Sequence, residues 1–334
     1  MNGKTVDIRQ ARARLPLLDG QTILEAALQH GVAYPHGCRS GRCGSCKSRL
    51  IEGEAEMLPH SRYALTEEEK ARGFILACRA VPKTDVAVAW LGADDVAAAA
   101  PIQHLQGIVV SMDELTHDIR RVRIRPDGTD ALAFAAGQYA DITFGQSPPR
   151  SYSMANRPGD SELEFHIRRV QGGITSGYVH TALRPGERVA LRAPLGSSHL
   201  REQHSGPMLC IAGGSGLAPI HSIVETALAH GMRQPIHVYF GARMERDLYF
   251  VEHFHELARR HANLSFVPVL SETQAAQYRT GVVTQAVGED LADLNHWKAY
   301  VAGPPAMVEA ALALAFERGL NVQDVHADVF FTPQ

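Results

Sequence analysis

The chain has 334 residues, of which 45% are hydrophobic and 21% charged, so it can form two or three domains with their own cores and is not fibrous or disordered. Its formal net charge of −3 gives no reason to expect nucleic acid or a membrane surface as a partner. No apolar run approaches the ~20 residues that span a bilayer, and the polar N-terminal segment lacks the apolar core of a signal peptide. We therefore expect a soluble, cytoplasmic protein.

The first predicted helix begins with a capping box. Thr22 and Glu25 have the spacing of that motif, apolar residues follow with helical periodicity, and Gly31 ends the helix. A strand is predicted over residues 48–51, with a turn directly after it. Residues 1–90 are therefore expected to form a small domain of mixed secondary structure.

Four of the five cysteines form one ligand pattern. They are spaced CxxxxCxxC with the fourth after 31 intervening residues, and they are Cys38, Cys43, Cys46 and Cys78. This is the spacing of a plant-type [2Fe-2S] ferredoxin, so we predict a cluster held by these four thiolates. Gly37, Gly41 and Gly44 let the loop turn tightly and aim backbone N–H groups at sulfur.

A structural zinc site is the competing interpretation. Zinc modules usually bring their ligands as two short CxxC-like pairs, whereas the grouping here is three plus one. Such a protein would be a non-catalytic binding module fused to a nucleotide-sensing domain, and it would be colourless. The cysteine usage leaves no disulfide framework and indicates a reducing compartment. Cys210, in an apolar stretch, is expected to be buried core.

Residues 91–104 contain four consecutive alanines and no periodic apolar face, so they are predicted to be a linker. In residues 105–203, period-two alternation at 121–125 and 163–168 indicates an antiparallel sheet or barrel. One helix is predicted within this segment, over residues 176–183.

The sequence RSYS at residues 150–153 follows a predicted strand of that segment. Arg150 can pair with a pyrophosphate, the Tyr152 ring can lie against an isoalloxazine, and the Ser153 hydroxyl can bond the flavin edge near N5. The quartet is similar to the RxYS flavin motif of ferredoxin reductases. An ordinary barrel strand with polar surface residues is the alternative.

A second phosphate contact is predicted shortly afterwards. His166 and Arg168 precede a glycine pair that admits close approach and opens a helix, whose N-terminus would face the anion. Gly173 belongs to that pair, and Ser176 is either a ligand contact or the N-cap of the helix. Together with RSYS, this run predicts a flavin site.

Residues 204–334 change rhythm. Apolar strands at 208–212, 236–240, 264–270 and 299–302 alternate with helical patterns, which predicts a parallel α/β sheet. The sequence GGSGLAP at 213–219 follows the first strand, with Pro219 where a Rossmann fingerprint has its third glycine. A second strand-to-helix loop at 302–307 would lie at the same sheet edge. The two loops predict one nucleotide cleft, unless both are merely tight turns.

The choice of nicotinamide cofactor depends on the next strand. Arg243 could pair with a 2′-phosphate, and Glu245 could bind a ribose hydroxyl, so the residues by themselves leave NADH and NADPH open. A nicotinamide cofactor delivers two electrons as a hydride, whereas a [2Fe-2S] cluster accepts one at a time. A flavin that takes two electrons and passes them on singly would connect the two.

Taken in order, these motifs resemble the reductase components of bacterial aromatic-ring-hydroxylating dioxygenases, in particular the naphthalene dioxygenase ferredoxin reductases. The resemblance spans essentially the whole chain. It implies an N-terminal β-grasp [2Fe-2S] ferredoxin domain, an antiparallel FAD-binding β-barrel and a C-terminal parallel α/β NAD-binding domain. It also implies electron flow from NADH, through FAD and the cluster, to a Rieske-type oxygenase or its small ferredoxin.

The resemblance also implies which residues bind the cofactors. Those expected to contact FAD are Arg150, Tyr152, Ser153, His166, Arg168, Gly173 and Ser176. Those expected to border NAD are Gly214, Gly216, Gly303 and Pro304. Tyr152 and Ser153 are expected to act at the reacting flavin. Phe330 either covers the isoalloxazine or fills the core of the last strand.

One position departs from the family, in which a cysteine often precedes the Gly-Pro pair near the nicotinamide. This chain has Ala302, so we expect altered nicotinamide positioning. Arg39 and Arg42 beside the cluster cysteines could meet an acidic partner. The chain is expected to be a monomer. The alternative partner is a di-iron monooxygenase of the phenol or methane hydroxylase type, or a sugar deoxygenation system.

Overall fold

The computed structural model describes residues 3–91, 100–128, 131–273 and 276–330. The described residues fall into two units. The first holds those up to Ile102 together with Gly196–Ser198, and the second holds Gln103–Leu195 and those from His199 onward. Most of the linker expected at 91–104 lies outside the described residues.

The first unit is a five-stranded sheet with one main helix packed on it. Its strands are β1 Thr5–Ile8, β2 Ala13–Pro16, β3 Lys47–Glu52, β4 Ala55–Met57, β5 Phe74–Leu76, β6 Ala80–Pro82 and β7 Val86–Trp90, and its helices are α1 Ile23–Gln29 and α2 Glu67–Ala71. The main sheet has the order β2-β1-β7-β3-β5, in which only β1 and β7 are parallel, and β4 pairs with β6. The predicted β-grasp ferredoxin fold is confirmed.

The capping box at the start of α1 is also confirmed. Thr22 Oγ1 accepts a hydrogen bond from the Glu25 N–H, and the Glu25 carboxylate accepts one from the Thr22 N–H. Nearby, the buried Tyr34 ring packs edge-on against Trp90 with centroids 5.0 Å apart, and its hydroxyl lies 2.6 Å from Ser48 Oγ. These contacts fix the start of β3, which follows directly on the cysteine loop.

The second unit begins with an antiparallel barrel. Its strands are β8 Gln103–Glu114, β9 Ile119–Pro126, β10 Tyr139–Phe144, β11 Arg150–Ser153, β12 Leu163–Arg168 and β13 Arg188–Leu195, and its helix is α3 Ile174–Thr181. The strand order is β11-β10-β13-β8-β9-β12, and a bridge between Met154 and Phe165 joins the two edges, so the sheet closes. The last two residues of the expected linker belong to β8.

One expectation about this segment is corrected. The helix predicted over 176–183 begins at Ile174, with Gly173 as its N-cap, so Ser176 is in the first turn and is not the cap. Ser176 Oγ instead accepts a hydrogen bond of 3.1 Å from the Val170 N–H. In β12 the alternation of polar and apolar residues is present, but Glu164 and His166 on its polar face are buried as well. Side chains that include some from residues 204–334 cover them.

The rest of the second unit is a six-stranded parallel sheet with helices on it. Its strands are β14 Met208–Gly213, β15 Ile236–Ala242, β16 Leu264–Leu270, β17 Arg279–Thr280, β18 Lys298–Gly303 and β19 Val325–Val329, and its helices are α4 Leu217–Ala229, α5 Val251–Arg260, α6 Val283–Asp290 and α7 Pro305–Glu317. The order is β17-β16-β15-β14-β18-β19. The chain therefore reverses direction across the sheet between β14 and β18, where a ligand crevice is expected.

Cys210 lies in the core beneath this sheet, as predicted, and burial raises the pKa of its thiol to about 12. Among the helices that the structure describes, none combines the length and apolar character needed to cross a lipid bilayer.

Candidate cofactor sites

The cysteine loop runs between α1 and β3 and carries three of the four predicted cluster ligands. The fourth, Cys78, lies between β5 and β6, and its Sγ is 3.2 Å from Cys46 Sγ. Cys38 and Cys43 form the other pair, and the Cys38 N–H donates to Cys43 Sγ over 3.3 Å. Two pairs of thiols suit two irons, whereas zinc takes all four ligands around one ion.

Backbone N–H groups of the loop point at sulfur. Those of Ser40 and Arg42 lie 3.5 and 3.3 Å from Cys38 Sγ. The pKa of the Cys38 thiol is lowered to about 5, first by the hydrogen bond with Cys43 and then by these loop donors. Donors of this kind stabilise charge on ligating sulfur and tune the potential of a cluster.

The loop needs left-handed backbone at three positions, Arg39 with φ 53°, Gly41 with φ 75° and Gly44 with φ 77°. A Cβ at Gly41 would also lie 2.7 Å from Arg79 Cγ and 2.9 Å from His60 Cβ. Position 41 is therefore restricted to glycine both by its conformation and by the space around it. The donor set and the loop both fit a [2Fe-2S] cluster.

The RSYS strand β11 presents its side chains in two directions. Arg150 is exposed, and one of its guanidinium nitrogens donates to the Pro149 carbonyl over 3.0 Å. The Tyr152 ring packs against Phe144 with centroids 6.2 Å apart, and burial raises the pKa of its phenol to about 12. Tyr152 is therefore a neutral, partly covered ring at the barrel edge, suited to lie against another flat ring.

Ser153 is buried, and its hydroxyl donates a 2.8 Å hydrogen bond to Asp328 Oδ2 in β19. Asp328 was not among the residues expected from the sequence. Because the hydroxyl donates its hydrogen to the carboxylate, the lone pairs of Ser153 Oγ remain available to accept from a neighbouring group. A residue of the last strand thus makes Ser153, in the RSYS motif, a hydrogen-bond acceptor for a neighbouring group.

Arg168 also has an acidic partner that the sequence did not single out as part of the site. Its Nε donates to Asp118 Oδ2 over 2.7 Å. Burial would raise the pKa of Asp118, but the hydrogen bond and charge of Arg168 outweigh it and leave the pKa lowered. Both residues line the nucleotide cleft, and the guanidinium lies beside Gly214, where a Cβ would be 3.1 Å from Nη1. Arg168 is therefore held facing the glycine turn after β14.

His166 is enclosed by protein side chains. Its side chain is fully buried, Nδ1 is 3.1 Å from the Tyr249 hydroxyl, and Nε2 is 3.0 Å from Glu164 Oε1. Both ring nitrogens are thus engaged within the protein, so this placement does not favour a direct contact with FAD. The physical reason is that Tyr249 and Phe250, in the turn before α5, and His221 of α4 cover this face of β12.

The predicted nucleotide cleft is present at the carboxyl edge of the parallel sheet. It is a cavity of about 380 Å³. It is bordered by the glycine turn after β14, the turn after β15 and the loop after β18, and its lining includes Gly213, Gly214, Arg243, Asp247, Pro304 and Met307. The two loops singled out from the sequence therefore share one ligand crevice.

The remaining glycines bring the two loops together. A Cβ at Gly216 would lie 2.1 Å from the Ala302 carbonyl oxygen. Gly303 has φ 152°, and a Cβ there would be 3.1 Å from both N and O of Gly213. These two positions need glycine for close backbone approach, while Gly214 and Pro304 border the cavity itself.

Only one of the two charged residues expected to meet the nucleotide after β15 lines the cleft. Arg243 lines the cleft, but Glu245 Oε1 accepts a hydrogen bond from Gln277 Nε2 over 3.1 Å. The acid in the cleft is Asp247, whose Oδ2 accepts from the Met244 N–H and whose buried Oδ1 has no hydrogen-bond partner among the described residues. Asp247 is thus the better candidate for a ribose hydroxyl.

Phe330 continues past β19, and its N–H donates to the Gly303 carbonyl over 2.9 Å. This places the residue beside the loop after β18. Phe331 lies outside the described residues. The residues that sequence reasoning missed at these sites are Asp118, Asp247, Asp328 and Met307. Only Met307 carried a signal, since it lies in the strand-to-helix loop at 302–307 that was expected to border the nucleotide cleft.

Comparison with known proteins agrees with the three sites. The model of the 2Fe-2S iron-sulfur cluster binding domain matches residues 6–83, that of the oxidoreductase FAD-binding domain residues 106–200, and that of the oxidoreductase NAD-binding domain residues 210–312. The three matches follow the chain order predicted for the cofactors.

Two curated relatives and one solved structure align over nearly the whole chain. The chain is 42% identical over 314 residues to a ferredoxin–NAD(P)⁺ reductase component of naphthalene 1,2-dioxygenase/salicylate 5-hydroxylase systems from Ralstonia sp., covering 93% of this chain and 94% of the relative. It is 39% identical over 320 residues to that of the Pseudomonas putida naphthalene 1,2-dioxygenase system, covering 95% of each. The Amycolatopsis cytochrome P450 reductase GcoB superposes with a TM-score of 0.80 at 38% identity, covering 98% of each chain.

The thiol pairs, the RSYS strand and the glycine-bordered cleft supply the cluster, flavin and nicotinamide sites of one electron-transfer protein. The chain therefore belongs to the family of ferredoxin–NAD(P)⁺ reductase components of oxygenase systems, and it is an NADH-dependent iron-sulfur flavoprotein oxidoreductase that carries electrons from NADH via FAD to a [2Fe-2S] cluster.

Proposed function

We propose that this reductase delivers its electrons to a Rieske-type aromatic-ring oxygenase, either directly or through a small ferredoxin. The observation that carries the proposal is the 42% identity, over 93% of the chain, to a reductase component of naphthalene dioxygenase and salicylate hydroxylase systems. The domain limits we propose are those expected from the sequence, except that the barrel begins at Gln103, where β8 begins. They are 1–90 for the ferredoxin domain, 91–102 for the linker, 103–203 for the FAD barrel and 204–334 for the NAD domain.

Within the flavin site, Arg150 and Arg168 supply cationic groups for the pyrophosphate, and Tyr152 supplies a neutral ring for the isoalloxazine. The hydrogen bond to Asp328 orients Ser153 Oγ as an acceptor toward the flavin edge. Bound FAD would supply the chemistry that separates a hydride pair into single electrons. The task of the chain is to hold the reacting groups in place and to exclude water.

Within the nucleotide cleft, Gly214 and Pro304 let the dinucleotide approach the backbone, and Asp247 accepts from a ribose hydroxyl. Arg243 beside it would pair with a 2′-phosphate, so NADPH is a second donor to test. His166 acts as a positioning residue, because it holds Glu164 and Tyr249 together under the barrel edge. We also infer a cytoplasmic location, because the four cluster cysteines need a reducing compartment to stay reduced. A monomer stays a prediction.

A cytochrome P450 is the second candidate partner. It is favoured by the superposition on a cytochrome P450 reductase with a TM-score of 0.80, which is a whole-chain likeness. A di-iron monooxygenase or a sugar deoxygenation system stays a further prediction.

Reconstitution with alternative partners tests the proposal. The FAD- and iron-loaded protein and NADH are mixed in one reaction with naphthalene dioxygenase plus its ferredoxin. In a second reaction they are mixed with a P450 O-demethylase. We expect product formation per NADH to be several-fold higher with the dioxygenase. A Cys78→Ser variant serves as the control, since it should keep NADH-dependent flavin reduction and lose product formation. Tight coupling to the P450 with no product from the dioxygenase would overturn the assignment.

A further inference from the structure

Three ligating side chains converge between α4 and α5, outside the three cofactor sites. His221 and Glu225 lie one turn apart on α4, and His253 lies in the first turn of α5. The His221 Nε2 atom is 3.2 Å from His253 Nε2, which is 2.8 Å from Glu225 Oε1. The remaining separation, between Glu225 Oε1 and His221 Nε2, is 3.8 Å.

These distances suit a tetrahedral metal ion. Zinc binds imidazole nitrogen and carboxylate oxygen at about 2.0–2.2 Å, which places neighbouring ligand atoms about 3.3 Å apart in a tetrahedron. The three observed separations lie on both sides of that value. Two imidazoles and one carboxylate form a donor set typical of zinc with a fourth position left for water.

The surrounding structure fixes the orientation of one ligand. His221 Nδ1 lies 2.8 Å from the Ala155 carbonyl oxygen, so it carries the ring proton and donates it there. The Nε2 lone pair of the neutral ring therefore points toward His253 and Glu225. A hydrogen bond from the other ring nitrogen is the usual support of a metal-bound histidine.

The environment also provides shielding and access. Phe250 and Phe254 flank the His221 ring, with centroid separations of 5.0 and 6.0 Å. The His253 side chain is 37% exposed, which leaves a path for an ion to enter.

We propose that this chain binds one Zn²⁺ ion through His221, Glu225 and His253. The ion connects α4 to α5. It also secures α4 against the segment after β11, because His221 is held on Ala155 and the neighbouring Ser222 hydroxyl donates to the Asn156 carbonyl over 2.6 Å. The role is structural and separate from the electron path. Without the ion, the hydrogen on His253 Nε2 would be shared between Glu225 Oε1 and His221 Nε2. This would satisfy the hydrogen bonding of all three groups.

Zinc binding to the flavin- and iron-loaded full chain tests the proposal. After equilibration with buffered Zn²⁺, we expect about one bound zinc per chain by mass spectrometry of the metal, and a higher unfolding temperature. Both effects should disappear in His253→Ala and in Glu225→Gln. The matched control is His230→Ala, which removes an exposed imidazole at the C-cap of α4, away from the three ligands, that also has an acidic neighbour, Glu202.

Zinc K-edge absorption separates this site from the cysteine loop. The proposal requires a shell of nitrogen and oxygen near about 2.0–2.1 Å, whereas zinc on thiolates gives sulfur near about 2.3 Å. Iron and flavin contents equal to the parent protein show that each variant is folded. No retained zinc, a sulfur shell, or equal zinc in the parent and in both folded variants would overturn the inference and leave a hydrogen-bonded triad.

Discussion

Replacing Gly41 by alanine should damage the cluster loop in two ways that the structure separates. The residue has φ 75°, and left-handed backbone costs an L-residue about 1–2 kcal/mol relative to glycine. The new Cβ would also lie 2.7 Å from Arg79 Cγ and 2.9 Å from His60 Cβ. Arg79 cannot simply swing aside, because its Nε donates to the Pro59 carbonyl over 3.0 Å. Overpacking of this kind typically costs about 1–3 kcal/mol more.

Gly31 provides a matched control in the same unit. Its φ is 74°, but a Cβ there would meet nothing within 4 Å. Gly31→Ala should therefore cost only the conformational part, about 1–2 kcal/mol, whereas Gly41→Ala should cost about 2–5 kcal/mol. The difference isolates the crowding around the cysteine loop.

The assay measures iron and labile sulfide per chain, together with thermal unfolding of the ferredoxin domain. We expect Gly41→Ala to lose most of its cluster and its NADH-dependent reduction of cytochrome c, while NADH-dependent flavin reduction, which takes place in the other unit, continues. Gly31→Ala should retain the cluster. Equal iron content and equal unfolding temperatures in the two variants would refute the steric reasoning.

Three further predictions concern the second unit. Asp328→Asn should slow flavin reduction by NADH about tenfold, roughly the worth of one hydrogen bond in the transition state, because the new amide can donate to Ser153 Oγ and no longer fixes it as an acceptor; stopped-flow rates unchanged from the parent would contradict this. Glu164 has its pKa lowered to about 2, because its hydrogen bonds and charge contacts with His166 and Arg123 outweigh the opposing effect of burial. Its stabilisation is therefore complete above the ordinary carboxyl pKa and is lost as the pH falls from about 4.5 to about 2, so Glu164→Gln should flatten that acid limb in pH-dependent unfolding, and an unaltered limb would count against it. Ala302→Cys, at a buried position whose carbonyl faces Gly216, should change the hydride-transfer rate by altering nicotinamide positioning, and an identical rate would exclude that role.

Much of the architecture could be predicted from local sequence patterns. The cysteine spacing, the Thr22 capping box and the alternation of apolar strands with helices depend on residues close in sequence, so periodicity and motif chemistry predicted them correctly. The glycine turn after β14 and the loop after β18 were also recognisable, because each lies between a strand and a helix.

Tertiary structure decided which side chains complete the sites. Ser153 meets Asp328 across 175 residues, and no local signal connects them. The packing of Tyr249, Phe250 and His221 against β12 decided that both nitrogens of His166 have partners within the protein. A pattern along the chain records which groups are available. Only the packing of distant segments determines which of them share a low-dielectric space, and therefore which can bind or orient a ligand together.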